Sequence, residues 1–194
     1  MSNKETLQSF NNRLNKNNLN LDNVLETINS LPKAINTDYT PEFISFRGYT
    51  GNSLEIATRN IDTSNITNMK DIFNGCKSLT SLDLSGWNTS KVTSMQNMFN
   101  SCSSLTNLDL SSFDTSNVTN MQNIFDGCYS LTKLDIRNFN FDKVTTYLYM
   151  FMNIQKDCEI IVKDDTAKEW VLSMAKNYSS VEFTNIKTVT ELEG

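Results

Sequence analysis

The stretch TSMQNMFNSCSSLTNLDLSSFDTSNVT, residues 93–119, decides the fold, because its parts recur on both sides of it at a step of 26 residues. Cys76, Cys102 and Cys128 keep that step, and so do Met69, Met95 and Met121. Phe73, Phe99, Phe125 and Phe151 carry it through four copies, together with Ile66, Val92, Val118 and Val144. The pairs Leu82/Leu84, Leu108/Leu110 and Leu134/Ile136 complete the frame. A unit this short cannot bury its own apolar face, so the units must stack and share one continuous core.

Each unit holds two periodicities. Around residues 93–99 the apolar positions 92, 95, 98 and 99 fall on one face of a short helical or 3₁₀ segment. Over 79–84, Leu82 and Leu84 alternate with Ser81 and Asp83, as in a strand with one buried face. A strand and a helical turn within about 20–29 residues form a leucine-rich-repeat unit. The expected architecture is therefore α/β: a leucine-rich-repeat solenoid of 26-residue units whose strands form a parallel sheet.

Working outward, residues 61–153 hold the repeats, and residues 33–60 serve as linker and N-terminal cap, with degraded strands at Glu42–Arg47 and Ser53–Ala57. Residues 154–194 read as a strand–helix–strand cap: a strand over Cys158–Val162, a helix opening at Asp164-Asp165 with Ala167, Trp170, Val171 and Met174 on one face, and a strand at Val181–Phe183. Trp170 is expected in the core of that cap.

Residues 1–32 differ in kind. Leu7, Phe10, Leu14, Asn17, Leu21, Val24, Ile28 and Leu31 follow an a/d heptad spacing that Pro32 ends. A helix of about 28 residues would be about 42 Å long, which is long for a cap on a small domain. These positions are expected to drive oligomerisation, to a trimer, with Asn17 fixing register. The alternative is an amphipathic helix lying on its own repeats.

Composition narrows the functional classes. The chain of 194 residues carries a net charge of −5 and has no basic block, so nucleic-acid binding lacks its electrostatic footprint. No apolar run reaches the roughly 20 residues needed to span a bilayer, so membrane insertion is not expected. The opening Met1-Ser2-Asn3-Lys4-Glu5 leads into polar residues rather than a signal-peptide core, so export by the general secretory route is not expected either. Histidine is absent, which removes the commonest general base and metal ligand. No paired carboxylates, nucleophile–base set or phosphate loop stands out, and neither an enzymatic activity nor a cofactor is expected.

The repeat cysteines lack a C-x-x-C or histidine partner for zinc and read as small buried residues at a corner of each unit. The outward strand positions form the candidate binding face: Ser81, Asp83 and Ser85, then Asn107, Asp109 and Ser111, then Lys133, Asp135 and Arg137. Asp83, Asp109 and Asp135 would stack about 5 Å apart and repel unless hydrogen bonds offset the repulsion; a solvated structural ladder and a cation site are the two readings. The turns Thr63-Ser64-Asn65, Thr89-Ser90-Lys91 and Thr115-Ser116-Asn117 read as turn and capping chemistry.

The pattern M-F-x-x-C-x-S-L-T-x-L-D-L-S-x-F-D-T-S-x-V-T-x-M resembles the BspA-like bacterial surface leucine-rich repeats, also found in mycoplasma-type lipoproteins. The resemblance implies an adhesion or interaction module and matches no catalytic position. From Leu14 to Pro32 the arm resembles the starts of tail-fibre, baseplate or head-fibre proteins of phages of Gram-positive bacteria. Together these imply a non-enzymatic structural protein of a virion, partnered with itself and with other virion proteins and presenting its repeats to a host-envelope protein or glycan. The alternative is an adhesion protein of the bacterial cell surface.

Overall fold

The computed structural model describes residues 44–53, 61–178 and 181–193. The heptad positions from Leu7 to Leu31, and the strand expected over Ser53–Ala57 beyond its first residue, lie outside them.

The chain is α/β, with one parallel sheet of four short strands: β1 (Asn107–Asp109), β2 (Lys133–Asp135), β3 (Glu159–Val162) and β4 (Ile186–Thr188), in that spatial order. The register pairs Leu108 with Leu134, Leu134 with Ile160 and Ile160 with Ile186. Each partner is one 26-residue step along the chain, so the step continues past the last recognisable repeat. In the first full unit the strand expected over 79–84 shrinks to one isolated parallel bridge, Ser53 with Ser81.

The helical segment expected over 93–99 is absent. In its place stands a run of turns, for which the backbone bonds give the reason. The N–H groups of Met95, Asn97, Phe99 and Ser101 cross to the next unit, to the carbonyls of Asn120, Gln122, Ile124 and Asp126. Those of Met98, Asn100 and Cys102 close turns onto Met95, Asn97 and Phe99. A helix would consume all of these donors but that of Met95 within the unit and leave carbonyls of the neighbour unpaired. Left-handed residues break the helix twice per unit: Asp71, Asn97, Asn123 and Tyr149 at one row, and Gly75, Ser101, Gly127 and Asn153 at another. Asn, Asp and Gly are the residues that tolerate this conformation best. At Gly127 a Cβ would also sit 3.3 Å from the Ser101 backbone. The apolar spacing of three that suggested a helix comes from successive three-residue turns.

The core is a set of columns running across the units. Phe46, Phe73, Phe99, Phe125 and Phe151 stack nearly parallel, with centroids 5.4, 5.5, 6.0 and 6.0 Å apart. Residues 44–49, expected as cap, thus supply the first member of the phenylalanine column. Met69, Met95 and Met121 form a second buried column, and Ile66, Val92 and Val118 a third. Thr63, Thr89 and Thr115 are buried too, and each hydroxyl bonds the neighbouring unit twice: that of Thr115 donates to the Asn140 carbonyl at 3.0 Å and accepts the Asn140 N–H at 2.7 Å.

At the C-terminal end, helix α1 (Asp165–Tyr178) fills the span between β3 and β4. The Asp164 carboxylate accepts the Ala167 N–H at 3.0 Å and caps it. Val171 and Ala175 reach the core; Trp170, expected in it, is half-buried at its edge and stacks on Phe141 at 4.0 Å. The last strand is not Val181–Phe183. Phe183 instead turns edge-on to Phe151 and closes the phenylalanine column, and the strand lies at Ile186–Thr188, where the 26-residue step from Ile160 requires it. Helix α2 (Val189–Glu193) follows, opened by a reciprocal cap between Thr188 and Glu191.

Candidate binding face

The strands bring the nine candidate residues onto the outer side of the sheet and its margins. Asn107 registers with Lys133 and Asp109 with Asp135. Ser81 is the bridged residue of the unit before them.

Each aspartate of the ladder has the same structural task. Asp83 accepts the Ser85 N–H at 3.0 Å and the Ser85 hydroxyl at 2.7 Å; Asp109 accepts the Ser111 N–H at 2.9 Å; Asp135 accepts the Arg137 N–H at 3.2 Å. A carboxylate bonding the backbone two residues on is what holds a tight turn after a strand. One member departs from expectation: Asp135 is buried, at 5% exposure, rather than solvated. The Arg137 guanidinium folds over it through Nε and Nη2, and this hydrogen bonding to Asp135, helped by the charges of Asp135, Asp109 and Glu193, pushes the guanidinium above its ordinary pKa. Arg137 thereby offsets the repulsion between the paired aspartates. Among the described residues no group of three or more His, Cys, Asp or Glu side chains is placed to hold a metal ion.

Lys133 is taken up as well. Its ammonium lies 3.1 Å from Glu159, which also pairs with Lys187. Lys187 first, and then Lys133, hold the Glu159 carboxyl below the usual carboxylate range. An acid depressed in the folded state stabilises the fold above its unfolded value, and that contribution is lost as pH falls through the folded value. Glu159→Gln should therefore flatten the loss of thermal stability below about pH 4.3, the ordinary glutamate value. Melting curves of both proteins from pH 3 to pH 7 check this.

The cysteines form a buried column, and their thiols are spent on the backbone. Those of Cys76, Cys102 and Cys128 donate to the carbonyls of Phe46, Phe73 and Phe99 at 3.1, 3.2 and 3.2 Å. Burial pushes Cys128 and Cys158 up to about 12. All four thiols should stay unreactive toward a disulfide reagent at pH 8 in the native protein and react in denaturant. Any reactive thiol in the native protein would contradict the packing.

The corner turns act as the sequence suggested. Asp62, Asn88 and Asp114 side chains accept the N–H of Ser64, Ser90 and Ser116. Lys91 and Lys143 donate to Asn65 and Asn117 of the preceding units.

Sequence reasoning passed over one group. Tyr129, Leu148, Tyr149 and Met152 are exposed at 55, 41, 45 and 37%. They lie on the turn side of the last two units. The signal was available: Leu148, Tyr149 and Met152 stand in rows that read Lys70, Gln96, Gln122, then Asp71, Asn97, Asn123, then Asn74, Asn100, Asp126 in the earlier units.

No described helix is long and apolar enough to cross a membrane. No curated protein and no solved structure matches the chain. A family model does match, over residues 44–164, more than half of the sequence. The chain thus belongs to the family described as Mycoplasma protein of unknown function, DUF285.

Proposed function

We propose that the chain is a leucine-rich-repeat solenoid that acts as a non-enzymatic structural and binding module, held as a trimer by residues 4–31 and displayed on a phage particle. The observation that carries the module reading is the division of labour among its polar groups. Thr63, Thr89 and Thr115 and the buried thiols are committed to joining one unit to the next, and the aspartates to holding the turn within each unit. Such a body is a stiff support, and its variable surface positions are left to meet a partner. The particle and the trimer rest on the heptad arm and its resemblance to fibre proteins. A second placement, on the bacterial cell surface, rests on the resemblance of the repeats to BspA-like surface proteins.

Antibodies to the repeat region, applied to density-gradient-purified particles and to envelope fractions of producing cells, test the placement. The protein is expected with the particles; recovery in the envelope alone would replace the first placement with the second. Light scattering on the full chain should give the mass of a trimer, and a monomer at micromolar concentration would remove the arm's proposed role.

A further inference from the structure

We propose that the turn side of the last two units, around Tyr129, Tyr149 and Met152, is a binding site for an uncharged glycan. This rests on the binding-module reading and moves the contact surface away from the sheet.

Three observations converge. First, the apolar side chains here are a local departure from the repeat. Asn97 and Asn123 bond in file, the Asn123 amide donating to Asn97 and the Asn97 amide to Asp71, each at 2.9 Å, and Tyr149 takes the next place in that row. Second, Tyr149 holds the left-handed conformation of the row, φ 58, without the local hydrogen bonding that makes it tolerable for asparagine. Its ring is nevertheless exposed, so core packing does not explain its presence. Third, the surroundings are amides. Met152 closes a turn onto Tyr149; the next residue, Asn153, donates to Asp126 at 2.9 Å; and Gln155 donates to the Tyr129 carbonyl at 3.1 Å.

These features select the partner. In these rows of the two units Asp126 is the one ionised side chain, so the patch offers no cation to an anionic ligand, and the carboxylate is already engaged by the Asn100 and Asn153 amides. Four partly exposed side chains, each with a full surface on the order of 200 Å², fall well short of the about 800 Å² per partner that a stable protein interface buries. A sugar chain fits the footprint and the chemistry: the C–H faces of its rings lie on tyrosine, and its hydroxyls meet amide and carboxylate groups at the edge. The Asp126 and Asn153 side chains, already joined, would receive it without rearrangement.

The test uses the full chain, with its tyrosines isotope-labelled, titrated with cellohexaose, chitohexaose and maltohexaose. At least one should give saturable shifts at Tyr129 and Tyr149 with a dissociation constant below ~1 mM. Tyr149→Asn and Tyr129→Ser restore the residues that Asn123 and Ser103 supply one unit earlier, so folding should be kept and the melting temperature should not fall. Each should weaken the interaction by about tenfold or more. No shift at either tyrosine with any of the three, or undiminished binding by the double variant, overturns the proposal, as does a double variant that loses self-association while sugars have no effect. If both parent and double variant adsorb to target cells equally, the binding-module reading stands and this inference falls; if neither adsorbs, that reading falls with it.

Discussion

Phe99→Ala is expected to destabilise the protein by about 3–5 kcal/mol, the cost of emptying a fully buried aromatic site. Phe99 is completely buried and stacks on Phe73 at 5.5 Å and on Phe125 at 6.0 Å, so its loss opens a void that both neighbours line. The effect should exceed ordinary cavity formation in one respect. Each unit is stable only through its neighbours, and a void at the centre uncouples the units before it from those after it. Urea unfolding should therefore show a lower midpoint and a broader or split transition, whereas the same change at the terminal Phe46 should lower the midpoint alone. A cost below about 1 kcal/mol at Phe99 would mean that the column collapses to fill the gap, contrary to the packing described.

Asn97→Val is expected to cost about 2–4 kcal/mol, from two sources that can be separated. Asn97 sits at φ 54, a conformation that costs a residue with a Cβ about 1–2 kcal/mol, and a branched Cβ more. Its amide also links two units, donating to Asp71 and accepting from Asn123, at about 0.5–1.5 kcal/mol net for each bond. Asn97→Gly removes both bonds but relieves the backbone, so it should cost about half as much. Chemical denaturation of the two variants distinguishes the terms, and equal costs would show that the left-handed backbone carries no penalty here.

These two residues also show what the sequence made legible. Phe99 announced itself: four phenylalanines at one step of 26 can hardly be anything but a column, and the parallel sheet followed from the Leu108, Leu134 spacing for the same reason. Asn97 did not. Its row was read as the polar side of a helix, because a spacing of three is shared by a helix and by consecutive turns. The distinguishing mark was the recurrence of Asp, Asn, Asn at 71, 97 and 123 together with Gly at 75 and 127, the residue types that left-handed backbone selects. The last strand was misplaced for a related reason. Val181-Glu182-Phe183 alternates as a strand should, but alternation is local evidence, and adding one more step to Ile160 leads to Ile186. On the candidate face the positions were legible and the charges were not. That Arg137 would cover Asp135, and that Glu159 would draw in both Lys133 and Lys187, depends on distances between units that no spacing along the chain reveals.

The span from Ile160 to Ile186 bears on how such a chain changes over generations. A helix of 14 residues and its connections occupy the same length of chain as a full run of turns in the units before it, and the strands on either side remain in register. The two kinds of segment are therefore interchangeable parts cut to one gauge. Copying or deleting a whole 26-residue stretch anywhere between Phe73 and Phe151 would lengthen or shorten the molecule by one strand spacing, about 5 Å, and leave both of its ends intact. Reach becomes a quantity that duplication alone can adjust, in equal increments, without inventing a new fold.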